Sequence, residues 1–290
     1  MPKGLDLKQG FSITLLLSTF VYSMKQASTY QSIKLSNKHV SKIEDNLVIE
    51  APLQININEE SYTVVMRTPG NDKELIRGLL YAEDIYKSND ELRIDSVEIN
   101  KDFSSILNVT IPKEKLGKGY LNKRTLLSVS SCGICGKKEL KDLKTNGKAL
   151  KNGNNTSIKE LVEVINRISL KMNNKQFLFK TTGGSHACAI FNKNEELLTI
   201  KEDIGRHNAV DKCVGDLINQ NKLKEACYML VSGRVSYEIV SKAFLAKIPI
   251  IIAVSACSSL AVDFAKEFGI FLIGFSRDSK MTIYSTPHNL

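Results

Sequence analysis

Two cysteines three residues apart are the residues best suited to chemistry in this sequence. The stretch 130–136 reads SSCGICG, so Cys132 and Cys135 form a C-x-x-C pair in a glycine-rich setting, and three lysines follow within five residues. A thiolate can attack a persulfide or a disulfide, and neighbouring cations favour the thiolate over the thiol. Glycines give such a loop the freedom that sulfur transfer needs. The pair therefore indicates sulfur or redox chemistry.

The basic charge of the chain is concentrated around this pair. The formal net charge is +9, and the stretch 112–156 holds eleven Lys or Arg and three acidic residues, a net charge of +8. One interpretation is ordinary solvated surface; the other is a field that attracts an anionic partner or lowers thiol pKa values. Tyr120 is the only aromatic residue of the stretch, which argues against a nucleic-acid partner.

The remaining cysteines do not form a disulfide pattern. Cys188, Cys213, Cys227 and Cys257 are scattered singly through apolar stretches, unlike the dense spacing of secreted scaffolds. We expect a reducing, cytoplasmic setting, with the first three of them as core residues.

An apolar run at residues 11–24, FSITLLLSTFVYSM, has the outline of a signal-peptide core. It is short for a membrane span, and no A-x-A-like cleavage site follows it. An extension peculiar to this chain explains the run as well as export does, and we expect no membrane association.

Hydrophobic patterns divide the chain into four parts. Residues 1–40 form an extension, 41–112 a small α+β domain of short strands and one helix, 113–156 a basic C-x-x-C loop and linker, and 157–290 an α/β domain. In the last part, apolar runs of strand length alternate with helical periods, which predicts a mostly parallel sheet covered by helices on both sides. Asp203 is expected to cap a helix.

Ligands of such sheets bind at the carboxyl ends of strands, and five turns there combine glycine, hydroxyls and single basic residues. Exposed amides, helix N-termini and arginines suit phosphate, so five such turns predict a phosphate-bearing ligand. Taken singly, the residues can instead be turn glycines, helix caps, surface charges or hydrogen-bonded core histidines. The last of the five turns is GFSRDSK, residues 274–280. The candidates in the other four turns are Gly183, Gly184, His186, Arg206, His207, Ser232, Gly233, Arg234, Ser255 and Ser258.

Besides proteins that relay sulfur between thiols, two classes of protein use a C-x-x-C pair. A structural zinc site needs a second ligand pair, which the sequence lacks, although a dimer could bring two C-x-x-C pairs together. A thiol-disulfide oxidoreductase needs a strand before the pair, and RTLLSVSS is a possible one, yet the phosphate-type turns would then have no role. Metal analysis and an insulin-reduction assay would separate these classes from a sulfur relay.

An ordered set of motifs resembles a known family. SSCGICGK, TTGGSHACAIF, EDIGRHNAVDKC, SGRVSYEIVSKA and VSACSSLAVDFA, with EAPLQININEESYTVVMRTPGNDKELIRGLL before them and FLIGFSRDSKMTIY after them, are similar to the formate dehydrogenase accessory sulfurtransferases, the FdhD family. The resemblance runs from about Ile49 to Tyr284. Cys257 departs from the family pattern, in which a small residue or proline is more usual, and it stands as a third thiol that could react.

The resemblance implies a sulfurtransferase with a cytidine-deaminase-like three-layer C-terminal domain and a smaller N-terminal α+β domain. It implies that Cys132 carries persulfide sulfur from a cysteine desulfurase to the molybdenum or tungsten bis-guanine-dinucleotide cofactor of formate dehydrogenase. Cys135 would either assist this transfer or resolve the persulfide as a disulfide. It implies a homodimer, and GDP as a partial analogue of the cofactor. The deaminase metal signature is absent, so neither a metal site nor deamination is expected. The implied cofactor-binding segment FSRDSK consists of Phe275, Ser276, Arg277, Asp278, Ser279 and Lys280.

Overall fold

The computed structural model describes residues 25–37, 39–121, 148–150, 158–277 and 279–286. The helices are α1 (Asp72–Ala82), α2 (Ile158–Lys175), α3 (Phe177–Thr182), α4 (Arg206–Asn219), α5 (Tyr237–Leu245) and α6 (Ser259–Glu267). The strands are β1 (Ala27–Ser36), β2 (His39–Val48), β3 (Ala51–Ile57), β4 (Glu60–Arg67), β5 (Arg93–Ile99), β6 (Ser105–Thr110), β7 (His186–Asn192), β8 (Leu197–Asp203), β9 (Ala226–Val231), β10 (Ile250–Ala253), β11 (Phe271–Arg277) and β12 (Lys280–Ser285). None of the helices in these ranges is long and apolar enough to cross a membrane. The predicted mixed α/β class is confirmed.

The N-terminal part is a four-stranded sheet in the order β4-β3-β6-β5, with α1 on one face. The alternation in β3 sets this arrangement: Leu53, Ile55 and Ile57 are buried, while Gln54 and Asn56 between them are half-buried. Because successive side chains of a strand point to opposite faces, the apolar set packs on Leu75 and Ile76 of α1. This sheet therefore has one core face and one partly solvated face.

A two-stranded ribbon precedes this sheet. β1 and β2 pair in antiparallel register from Ala27↔Val48 to Ser36↔His39, and most of their side chains are exposed. Cross-strand hydrogen bonds such as Gln31 Nε2 to Glu44 Oε1 (2.9 Å) support the register. Part of the ribbon lies within residues 1–40, where the sequence predicted only an extension.

The C-terminal part has three layers around a six-stranded sheet in the order β12-β11-β10-β9-β7-β8. One face packs on α2 through residues such as Ile165 and Ile168, and the other packs on α4, α5 and α6. Neighbouring residues of the central strand β9 show both faces covered, since Met229 and Leu230 belong to opposite layers and are each fully buried.

The prediction of a mostly parallel sheet is wrong. Only β9, β10 and β11 run parallel, whereas β7, β8 and β12 pair antiparallel with their neighbours. Parallel pairing needs a crossover of a dozen or more residues. The links from Asn192 to Leu197 and from Arg277 to Lys280 are too short for that, so β7–β8 and β11–β12 form hairpins.

The two parts join where α1 crosses α4, at a contact made by glycines. A Cβ added at Gly78 would lie 2.0 Å from the backbone oxygen of Asp211, and one added at Gly215 would lie 1.9 Å from that of Glu74. Both distances are far below any real Cβ contact, so the helices approach as closely as they do only because these positions lack side chains.

Candidate functional site

One edge of the six-stranded sheet collects most of the predicted ligand residues. β7 runs antiparallel to both β8 and β9, so β8 ends where β7 begins. That position is the edge at which the parallel strands β9, β10 and β11 also end. The ends of β8, β9, β10 and β11 and the starts of β7 and β12 therefore lie side by side, as expected for a ligand site in a sheet of this kind.

Three predicted residues from distant parts of the chain meet at this edge. A Cβ placed on Gly233 would lie 3.2 Å from both the Cβ of Arg206 and Nδ1 of His186. Ser232 ties the strands together, because its Oγ accepts a hydrogen bond from the Ala187 amide at 2.9 Å and its own amide donates to the Ala187 carbonyl at 3.0 Å. The glycine allows the backbone, the imidazole and the guanidinium stem to approach one another.

The electrostatics of this cluster are cationic. Burial lowers the pKa of His186, and the charges of Arg206 and Arg234 lower it further, with Asp203 opposing them. Nε of Arg206 is buried and has no hydrogen-bond partner among the residues that the structure describes. A buried donor of this kind costs free energy unless a partner is present, so the arrangement suits an anionic ligand.

A second group of residues lies at the ends of β10 and β11. The amide of Phe275 donates to the carbonyl of Ser255 at 3.0 Å, and a Cβ on Gly274 would meet that oxygen at 3.3 Å and the Cys257 Sγ at 3.1 Å. Burial raises the pKa of the Cys257 thiol to about 11. Cys257 thus lies at the edge but stays protonated near neutral pH, which makes it a poor nucleophile.

The predicted cofactor segment forms the β11–β12 hairpin. Arg277 and Lys280 are exposed cross-strand partners, Ser276 is buried, and Phe275 is 45% exposed with a left-handed φ of 53°. The hairpin presents two cations and an aromatic ring beside the edge; Asp278 lies outside the described residues.

Several other candidates already have structural roles, while their ligand contacts stay predictions. Gly183, with φ 66°, ends α3 and donates its amide to the Phe179 carbonyl. Ser258 caps α6 by accepting a hydrogen bond from the Ala261 amide. His207 is buried, with Nε2 3.1 Å from both Ser236 Oγ and Glu238 Oε2.

The remaining three candidates differ in surroundings. Gly184 leaves room for Val48, whose Cγ1 would lie 2.9 Å from an added Cβ. Arg234 and Ser279 are exposed, and Ser279 has a left-handed φ of 56°.

The sequence reasoning missed a buried polar cluster behind the site. Asp203 does not cap α4, because the N-cap position is Gly205. Its carboxylate is instead fully buried and pairs with the fully buried Lys212 at 2.7 Å. Thr68 of the N-terminal part donates its amide to the same carboxylate at 3.1 Å. The sequence offers no specific signal for this cluster, because Asp203 ends β8 whereas Lys212 lies in α4 among several other charged and polar residues.

The two cysteines of the C-x-x-C pair, Cys132 and Cys135, lie outside the described residues. So do residues 11–24. Within the part of the chain that the structure describes, no group of three or more His, Cys, Asp or Glu side chains is placed to hold a metal ion.

Comparisons with known proteins agree with the motif resemblance. The model of the FdhD/NarQ family matches residues 48–290. Sulfur carrier protein FdhD of Sulfolobus acidocaldarius is 40% identical over 258 residues, which are 89% of this chain and 96% of the relative. The protein of that name from Streptomyces avermitilis is 38% identical over 265 residues, 89% of this chain and 93% of the relative.

A solved structure shares the fold. It is the crystal structure of a Desulfotalea psychrophila protein provisionally described as a formate dehydrogenase accessory protein, with a TM-score of 0.69 and 22% identity, covering 91% of this chain and 99% of that one. The extent of the family match and of the two sequence relatives decides the assignment: this chain belongs to the FdhD/NarQ family.

Proposed function

We propose that the protein is a sulfur carrier that receives persulfide sulfur on Cys132 and delivers it to a guanine-dinucleotide metal cofactor bound at the C-terminal sheet edge. The observation that carries the ligand half of this proposal is the meeting of Arg206, His186 and Gly233, with a buried Arg206 Nε that has no partner in the described residues. The carrier half rests on the names of the relatives and on the C-x-x-C pair.

The loading step needs only thiol chemistry. The Cys132 thiolate attacks the terminal sulfur of a persulfide on a cysteine desulfurase. A sulfur–sulfur bond forms on Cys132, the bond on the donor breaks, and the donor cysteine leaves as a thiolate. Lys137, Lys138 and Lys141 favour the attacking thiolate by their charge.

The delivery step needs two electrons if the sulfur leaves as sulfide. Cys135 supplies them when its thiolate attacks the Cys132 sulfur of the persulfide. A Cys132–Cys135 disulfide forms and the terminal sulfur departs as sulfide to the acceptor. A thiol reductant then reduces the Cys132–Cys135 disulfide and restores the two thiols.

The acceptor is written here as substrate: the molybdenum or tungsten bis-guanine-dinucleotide cofactor destined for formate dehydrogenase. Its diphosphate suits the guanidinium groups of Arg206 and Arg277, which bind phosphate oxygens at two points, and the ammonium of Lys280, which binds them as a point charge. Phe275 offers an exposed ring on which a purine can stack. A homodimer working in the cytoplasm, with a cysteine desulfurase as donor, completes the proposal.

The decisive test of the carrier role is intact-mass spectrometry after incubation with a cysteine desulfurase and cysteine. We expect sulfur added to the peptide that contains Cys132, and none in Cys132→Ala. Cys213→Ala is the matched control, because Cys213 is fully buried in the core and donates its thiol to the Cys188 carbonyl. Normal loading of Cys132→Ala would refute the proposed carrier, and reduction of insulin without sulfur loading would favour an oxidoreductase.

The ligand half is tested by calorimetry. We expect GDP to bind more tightly than guanosine, because the diphosphate meets the cations of the edge, and more tightly than ADP, because the acceptor carries guanine. Arg206→Gln should weaken GDP binding by roughly tenfold or more, the usual scale for losing a charged hydrogen bond. Equal affinities for GDP and guanosine would contradict a site for a diphosphate.

A further inference from the structure

We propose that Thr68 and the buried Asp203–Lys212 pair are positioning residues. Through them, the N-terminal part of the molecule fixes the position of the turn that carries Arg206. The inference concerns a residue 135 positions away from Asp203 in the chain that lies in a different sheet system from the site. Its functional consequence rests on the proposed function, whereas its effect on the turn does not.

The carboxylate of Asp203 is fully buried. It bonds both to the start of the segment that carries Arg206 and to the residues that hold this segment in place. Oδ1 accepts hydrogen bonds from the Gly205 amide at 2.8 Å and from Asn208 Nδ2 at 2.9 Å. Oδ2 accepts from the Thr68 amide at 3.1 Å and lies 2.7 Å from Lys212 Nζ. A buried charge is tolerated only when it is paired and hydrogen-bonded in this way.

Thr68 bonds to this region through all three of its polar groups. Besides the amide, its Oγ1 accepts a hydrogen bond from the Ile204 amide at 3.0 Å, and its carbonyl accepts from Lys212 Nζ at 2.8 Å. Met66, two residues before Thr68, bonds to the same region, since its carbonyl accepts a hydrogen bond from Asn208 Nδ2 at 2.8 Å. The end of β4 is thus bonded to both sides of the turn.

The two amides held by this cluster are those directly before Arg206. Thr68 holds Ile204 and Asp203 holds Gly205, so the backbone that enters Arg206 is fixed at two successive residues. The Arg206 stem then lies against Gly233, where a Cβ would be only 3.2 Å away. Because displacements near 1 Å in a positioning contact can change binding and rate strongly, a shift of this turn should move the guanidinium away from the ligand.

A second buried polar cluster in the same part of the molecule provides a matched control. Arg67, the neighbour of Thr68, is fully buried and pairs with Asp72 at 2.9 Å. It also donates to the hydroxyl of buried Ser105 at 2.8 Å. Its remaining bonds go to the carbonyls of Ala51 and Phe103, so within the part of the chain that the structure describes Arg67 makes no hydrogen bond to the turn.

The experiment compares Thr68→Val with Ser105→Ala, two changes that each remove one buried hydroxyl acceptor. For Thr68→Val we expect faster hydrogen exchange at the Ile204 and Gly205 amides. We also expect a roughly tenfold weaker GDP affinity, because a turn that is no longer held moves the Arg206 guanidinium away from the ligand. Thr68→Ser keeps the hydroxyl and should restore both values. Ser105→Ala should lower the melting temperature yet leave both readouts at the wild-type values.

The outcomes separate the two levels of the proposal. Wild-type exchange and GDP affinity in Thr68→Val would overturn the positioning role, and so would equal losses in Thr68→Val and Ser105→Ala, which would mean general loosening. If the wild-type protein binds no GDP, the nucleotide site of the proposed function fails, and the exchange of Ile204 and Gly205 still decides whether Thr68 holds the turn.

Discussion

The two sheets of this protein differ in how many of their faces are covered. The four-stranded N-terminal sheet packs one face on α1, so a single alternation of apolar and polar residues specifies it. The six-stranded C-terminal sheet is covered on both faces, and its central strands are apolar throughout. The candidate site lies at an edge of the second sheet, but the contacts that hold its turn come in part from the first. The sheet that is covered on both faces therefore carries the candidate site, while the part with the singly covered sheet helps to hold that site in place.

The largest expected effects test this difference in coverage directly. In β6, Leu107 faces the core and the adjacent Ile106 is half-buried, so Leu107→Ala should cost about 3 kcal/mol of unfolding free energy and Ile106→Ala less than about 1 kcal/mol. In β9, Met229→Ala and Leu230→Ala should each cost about 3 kcal/mol, because both side chains are fully buried.

Urea unfolding of the four variants measures these values. A large cost at Ile106 would mean that the outer face of the N-terminal sheet is covered as well. A small cost at either Met229 or Leu230 would mean that one layer of the C-terminal part packs poorly on the sheet.

The joint between the two parts should be the next most sensitive feature. Gly78→Ala should cost about 2 kcal/mol, since overpacking costs 1 to 3 kcal/mol and the added Cβ meets Asp211 backbone at 2.0 Å. On an open helix face the same change would stabilise by up to about 1 kcal/mol. Lys73→Ala, on the exposed side of α1, serves as the control and should change unfolding by less than about 0.5 kcal/mol. A stabilised Gly78→Ala protein would contradict the close crossing of α1 and α4.

A smaller effect is the pH dependence that His186, in the C-terminal part, should give to the free energy of unfolding. The pKa of His186 is lowered in the folded protein, so the unfolded chain binds this proton more readily. Stability should consequently fall as pH drops below about 6.5, the ordinary pKa of histidine. His186→Gln should remove the contribution of one proton from that slope, measured by urea unfolding between pH 7 and pH 5. An unchanged slope would show that His186 titrates normally.

The smallest expected signal is the slow labelling of Cys257. With a pKa of about 11, this thiol is almost wholly protonated at pH 8, so iodoacetamide should modify it at least about 100-fold more slowly than a free cysteine. The labelling rate should rise steadily as the pH approaches 11. Rapid labelling at pH 8, read from the peptide mass, would instead make Cys257 a third reactive thiol of the chain.

Local patterns in the sequence predicted the elements well. The single helix expected in the small α+β domain is α1, and the helical periods expected between the apolar runs of the last part are α2, α4, α5 and α6. Such helices have an apolar face repeated over two or more turns. The six-residue α3 has too few turns to show that periodicity, and the sequence reasoning missed it.

Non-local features were harder to predict. Strand direction in β7, β8 and β12 follows from short links that the apolar runs do not reveal. The turns at the sheet edge were predicted, because glycine and hydroxyl residues follow each apolar run. The Thr68–Asp203–Lys212 cluster was not, since it depends on a contact between residues more than 130 positions apart, and no local rule indicates which buried charges pair across such a distance.

The glycine contact between α1 and α4 has a consequence for dividing the chain. A C-terminal fragment made alone would uncover the helix groove at Gly215 and leave Asp203 and Lys212 without Thr68. The same shape and charges would then be available to an N-terminal fragment supplied separately. We therefore expect that the molecule can be reconstituted from two polypeptides, with recovery of the proposed nucleotide binding as the readout.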